Sequence, residues 1–270
     1  MTTAGQAAVA EVFARARAEG RAALVGYLPA GYPSVDGAAE AMLAMVDAGV
    51  DLVEVGLPYS DPLMDGPVIQ RAVDGALRAG TSTADVLRTV ERLRAHGAVA
   101  LVMSYWNPVE RYGVERFARD LDAAGGAGVI TPDLIPDEAG AWLAAARAHD
   151  LATVFLVAPS STQARLASTA AACRGFVYAA STMGVTGARS EVGSAARDLV
   201  ARTRDVTDLP VGVGLGVSTA AHAAEVAGFA DGVIVGSALV HTLVDATDDA
   251  AGRRALSALA ASLAAGVRTP

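Results

Sequence analysis

The sequence predicts an α/β protein, a single closed (β/α)8 barrel over residues 1–270 with its core at about 21–240 and extra helices at both ends. Three observations lead there. Eight short runs rich in Val, Ile and Leu recur along the chain, each bounded by Gly, Pro, Ser or Thr. Longer segments of helical period separate them. The runs are apolar on both faces, which suits a parallel sheet covered on each side by crossover helices.

In chain order, a helical segment at 6–18 precedes the first strand, AALVGYL at 22–28. Val35, Ala39, Met42 and Val46 share a helix face that Gly49 stops, and DLVEVG follows at 51–56. Val86, Val90 and Leu93 mark a helix ended by Gly97, before the third strand AVALVMS at 98–104. Phe117, Leu121 and Ala124 lead to AGVIT at 127–131, and Trp142, Leu143 and Ala146 to ATVFLV at 152–157. Ser160, Thr162 and Ser218 suit amino-terminal caps around the later strands GFVYAA (175–180), PVGVGLG (210–216) and DGVIVGS (231–237). A helix at 252–266 closes the chain, completing a TIM barrel with helical additions. The competing architecture is a doubly wound open sheet. It would want a phosphate fingerprint after the first strand, where LPAGYP stands instead.

Composition narrows the function. With 53% hydrophobic residues among 270, the chain can bury a large core, and its net charge of -8 without a basic stripe argues against nucleic acid and anionic membranes. The single Cys173 forms no internal disulfide, the first twenty residues lack a signal-peptide core, and no apolar run is long enough to span a bilayer, so a cytoplasmic protein is expected. All 21 basic residues are arginine. Without a lysine, Schiff-base aldolase chemistry and pyridoxal-phosphate chemistry are excluded for this chain.

Glycines after the last three strands, in MGVTGA (183–188), GVGLG (212–216) and VGS (235–237), can direct backbone amides at one anion. Gly187, Gly214, Gly216, Gly236 and Ser237 form that candidate phosphate cradle, although glycine also serves ordinary tight turns. No lysine or arginine is forced into these loops, which suggests amides and a helix dipole as the phosphate's partners. Glu54 lies two residues from the end of the second strand, where barrel side chains face the active-site mouth. It is catalytic or paired with a buried arginine, and none occurs between Arg21 and Arg71. If poorly solvated, its pKa should rise toward the range of a group that both gives and takes protons. Asp65 follows in the loop, as a turn former or a second functional carboxylate. The histidines at 96, 149, 222 and 241 sit in or beside helices without metal-ligand spacing, so no metal site is expected. Cys173 reads as a small core residue, and Tyr178, ending the sixth strand, can aim its hydroxyl into the mouth. The residues thus describe a phosphate-ester-binding barrel with carboxylate acid/base chemistry, and they name no substrate.

The motifs VEVGLPYSDPLMDGP (53–67), YWNPVERYGVERF (105–117), ITPDLIPDEA (130–139), GFVYAASTMGVTGAR (175–189), VGVGLGVS (211–218) and ADGVIVGSALV (230–240) together resemble the alpha chain of tryptophan synthase, in order and spacing. The resemblance implies a lyase that cleaves indole-3-glycerol phosphate to indole and glyceraldehyde 3-phosphate. It makes Glu54 the general acid/base and Asp65 the carboxylate on the indole N–H. Tyr27, Ile69, Met103 and Tyr178 would pack the indole and flank the glutamate. Thr186, in the loop that closes over substrate in that family, would join Gly187, Gly214, Leu215, Gly216, Gly236 and Ser237 around the phosphate end. Asp61 and Pro62 would meet a beta chain in an α2β2 complex, with pyridoxal phosphate held by that partner and no cofactor in this chain. Tyr59, Leu215, Pro29 and Met183 depart from common family residues. A free-standing lyase, an isomerase of aromatic amino-acid biosynthesis and a mainly regulatory docking subunit are the alternatives.

Overall fold

The computed structural model describes residues 5–180, 189–214 and 216–269, the side chains of 189–192 excepted. Eight parallel strands close in sequence order: β1 Ala23–Pro29, β2 Leu52–Gly56, β3 Ala100–Met103, β4 Gly128–Thr131, β5 Ala152–Val157, β6 Val177–Ala180, β7 Val211–Gly214 and β8 Gly232–Val235. Pairing of β8 with β1 shuts the barrel and sets the open-sheet alternative aside. Around it run α1 Gly5–Ala18, α2 Val35–Asp47, α3 Pro67–Arg78, α4 Thr83–Ala95, α5 Trp106–Tyr112 and α6 Val114–Ala123. The second half adds α7 Gly140–Ala148, α8 Gln163–Ala172, α9 Arg189–Arg204, α10 Ala220–Ala227, α11 Ser237–Val244 and α12 Asp249–Gly266. No helix among the described residues is long and apolar enough to cross a membrane.

The strands read as continuous apolar runs because both faces are buried. One face meets the helices: Leu24, Leu28, Val53 and Val55 belong to that outer core. The other fills the barrel, where Val25, Leu52, Leu101, Ile130, Val154, Phe176 and Ile234 form an inner core. Helix α1 plugs its amino-terminal end with Val9, Val12, Phe13 and Ala16, and the Phe13 ring lies 5.2 Å from that of Phe176. With one end plugged and the middle packed, the carboxyl-terminal end is where the interior can open. The barrel floor is also pinned: Asp51 accepts the Leu24 N–H at 2.9 Å and the Arg21 guanidinium at 2.6 and 2.8 Å. Arg21 is therefore spent at the end opposite the mouth.

Several local readings need correction. Thr162 caps α8 through the Arg165 N–H, whereas the Ser160 position lies outside the helix. Thr219, not Ser218, caps α10. Strand β6 continues two residues past Tyr178 to Ala180. In α2 Ala39 and Met42 are buried as expected, but Val35 and Val46 are only half-buried and the buried face extends to Gly37, Ala38, Ala41 and Met45. Gly49 and Gly97 do follow helix ends with positive φ, 106° and 86°.

Candidate functional site

At the carboxyl-terminal mouth lies a cavity of about 670 Å³, and its walls include Tyr27, Glu54, Asp65, Ile69, Met103, Tyr178, Gly214, Gly216, Gly236 and Ser237. Ten of the residues singled out in the sequence thus share one space. Thr186, Gly187 and Leu215, like Met183, fall outside the described residues.

Glu54 stands on the cavity floor because side chains alternate along β2: two residues above the inner-core Leu52, it is again turned inward. It is 1% exposed, and among the described residues its Oε1 has no hydrogen-bond partner. Burial alone pushes its pKa from 4.5 up to about 8, because the ionised form would lose water without gaining a cation. The carboxyl is therefore held protonated at neutral pH, the state of a proton donor.

Asp65 is half-buried in the loop between β2 and α3. Its Oδ1 accepts the Tyr105 hydroxyl at 3.1 Å. Burial raises its pKa and the Tyr105 hydrogen bond opposes the rise, a counterweight that Glu54 lacks. Two carboxyls in one cavity, one kept neutral by burial and the other with that burial partly offset by a hydrogen bond, can divide acid and electrostatic work between them. Tyr27 lies beside both. It is the register partner of Glu54 across β1 and β2, and burial first, then the charges of Asp65 and Glu54, drive its pKa well above 10.0.

The tyrosines need glycines next to them. A Cβ on Gly56 would lie 2.5 Å from the Tyr27 hydroxyl oxygen, and one on Gly214 2.5 Å from that of Tyr178. Gly214 therefore serves Tyr178 as well as the anion cradle proposed from sequence. Gly56→Ala is expected to cost about 1–3 kcal/mol in denaturant unfolding by displacing Tyr27. Gly236→Ala, whose methyl would meet Tyr27 at an ordinary 3.5 Å, should cost under about 1 kcal/mol.

The remaining wall suits an anion. Gly216 has φ +58°, and no side chain caps α11 at Gly236, so the first turn of that helix presents its amino terminus at the cavity. Ser237 lies near Gly66, its hydroxyl oxygen 3.9 Å from where a Cβ would stand, which brings the Asp65 loop against this corner. His241, one turn further along α11, also lines the cavity and is the one described lining residue able to carry positive charge; its Nε2 is 3.2 Å from Asp245.

Sequence reasoning missed Tyr105, His241 and Leu156. Leu156 was findable, since Ala152 and Val154 alternate inward with it along β5. The others carried no periodic signal. Among the described residues no cluster of His, Cys, Asp and Glu could hold a metal ion. Cys173 is buried at the end of α8, and burial pushes its thiol up to about 12, which fits a core residue.

A family model described as "Tryptophan synthase alpha chain" matches residues 13–267. A curated relative of that name from Acidothermus cellulolyticus is 63% identical over 261 residues, covering 97% of each chain. Another, from Salinispora arenicola, is 64% identical over 258 residues, 96% of this chain and 97% of its own. A solved structure of Mycobacterium tuberculosis tryptophan synthase superposes with a TM-score of 0.91 at 57% identity, covering 99% of this chain and 100% of that one.

Proposed function

The chain belongs to the tryptophan synthase alpha chain family, and from that premise we propose that Glu54 and Asp65 carry out its reaction at the mouth of the barrel. The reaction is the cleavage of indole-3-glycerol phosphate to indole and glyceraldehyde 3-phosphate. The buried Glu54 carboxyl, its Oε1 without a hydrogen-bond partner among the described residues, is the observation that carries the assignment.

Cleaving that carbon–carbon bond needs an electron sink. Amine catalysis would supply an iminium, but the chain has no lysine. The ring can serve instead once its C3 is protonated. The protonated Glu54 gives its proton to C3, and the ring nitrogen takes up positive charge. The carboxylate left behind then takes the proton of the glycerol hydroxyl next to the ring. The bond between ring and glycerol breaks, its electron pair restores the aromatic ring, and an aldehyde forms on the phosphate-bearing fragment. Glu54 ends protonated, as it began.

Asp65 accepts the ring N–H, a bond that strengthens as the nitrogen becomes cationic. Ile69, Met103, Tyr27 and Tyr178 enclose the ring. The phosphate rests on the amino terminus of α11, with Gly236 and Ser237, beside Gly214 and Gly216. Thr186, Gly187 and Leu215 complete this end by the family's pattern.

The segment around Asp61 and Pro62 is the contact for a beta chain in an α2β2 assembly that holds pyridoxal phosphate and consumes the indole. Asp61 is exposed, and the neighbouring Leu63 is 77% exposed, a large apolar side chain in water. We read residues 1–270 as one domain working in the cytoplasm.

Purified chain should release indole slowly on its own and at least about tenfold faster when a tryptophan synthase beta chain is added. Equal rates with and without the beta chain would point to a free-standing lyase, and no indole in either case to a docking subunit.

A further inference from the structure

We propose that Tyr105 is a positioning residue, the link through which the partner-facing segment between Tyr59 and Met64 sets the pose of Asp65. The inference rests on the reading of Asp65 and of this segment given above.

Tyr105 comes from outside the loop it holds. It follows β3 as the residue before α5, and it is 5% exposed. Its hydroxyl accepts the Met64 N–H at 3.0 Å and donates to Asp65 Oδ1 at 3.1 Å. Its ring packs on Tyr59 with centroids 5.4 Å apart. One rigid side chain therefore grips the β2–α3 loop at both ends.

Between the grips stand Ser60, Asp61, Pro62 and Leu63, of which all but Pro62 are exposed. Asp61 is tied only locally in the hydrogen bonds described for it, accepting the Ser60 hydroxyl at 2.6 Å. The exposed tip thus has its two ends referred to one ring. The hydroxyl's donor and one acceptor position are both in use, so turning Asp65 away breaks a bond in a half-buried setting. A partner seated on the tip, displacing Tyr59 or Met64, acts on the same hydroxyl that orients Asp65.

Tyr105→Phe removes the hydroxyl and keeps the ring against Tyr59, so it isolates the link. Indole release should be followed for this variant with and without a tryptophan synthase beta chain, across pH, alongside Asp65→Asn. For Tyr105→Phe, kcat is expected to fall about tenfold with KM within about twofold. The acid limb of its pH profile should move to higher pH, because the lost hydrogen bond favoured the carboxylate. Stimulation by the beta chain should fall below about a third of the original factor, with the beta-chain Kd unchanged.

An acid limb in its original place, or stimulation within about twofold of the original, overturns the proposal. If Tyr105→Phe does not fold, Tyr59→Leu takes its place: a reduced stimulation factor supports the link and an unchanged one overturns it. Normal turnover in Asp65→Asn would instead sink the reading of Asp65 itself. An inactive Asp65→Asn beside a fully coupled Tyr105→Phe sinks the link alone.

Discussion

Replacing Glu54 with glutamine is expected to slow indole release by about 10³- to 10⁴-fold, while a phosphate-bearing substrate analogue still binds. Glutamine has the same shape and can donate a hydrogen bond, but it cannot release a proton to C3 or collect one from the glycerol hydroxyl. Because one group performs both transfers, the loss should sit at the upper end of what acid/base catalysis contributes. The anion corner is built from other elements, β7, β8 and α11, so ligand affinity should change little. Turnover within about tenfold of the parent would remove Glu54 from the mechanism.

The same substitution has a signature in stability, independent of any assay of the reaction. With the folded pKa of Glu54 at about 8 and an ordinary value of 4.5, the folded chain holds this proton after the unfolded chain has lost it. Stability from this group is complete below 4.5 and is lost progressively as pH rises to about 8. The full swing is about 5 kcal/mol. Glutamine does not titrate, so Glu54→Gln should unfold close to the parent near pH 5 and become relatively more stable toward pH 8. Denaturant unfolding at several pH values reads the difference, and a gap that stays constant across this window would mean that Glu54 is solvated.

Much of this site could be read from the chain because the barrel imposes a rule. Strands buried on both faces leave few inward positions for a charge, and Glu54 occupies one near a strand's end. Glycines after consecutive strands point to the proposed anion corner by the same reasoning from strand ends. What stayed hidden depended on contacts without period. Tyr105 reaches Asp65 from 40 positions away, and neither residue's neighbours announce the other. His241 reads as an ordinary helix residue until α11 is seen to form a cavity wall. The face of α2 was drawn too narrowly because large side chains dominate a periodicity count, whereas Gly37, Ala38 and Ala41 are buried too. Each cap placed one or two residues early had a Ser or Thr beside the true cap, a choice that backbone geometry settles and composition does not.

Asp65→Asn is expected to lower kcat by about 10²- to 10³-fold with KM nearly unchanged. The asparagine carbonyl can still accept the ring N–H, so ground-state binding survives. What disappears is the negative charge, which matters only once the ring has taken the proton and its nitrogen has become cationic. The pH profile separates this role from that of Glu54. In the parent, the rate should fall on the alkaline side near 8 as Glu54 loses its proton, and on the acid side, above 3.8, as Asp65 gains one. The shift of Glu54 comes from burial, so neutralising Asp65 should leave the alkaline limb in place and abolish the acid limb. An acid limb that survives in Asp65→Asn would belong to another group, such as the phosphate. In that case Asp65 would be a turn residue that Tyr105 holds for structural reasons alone.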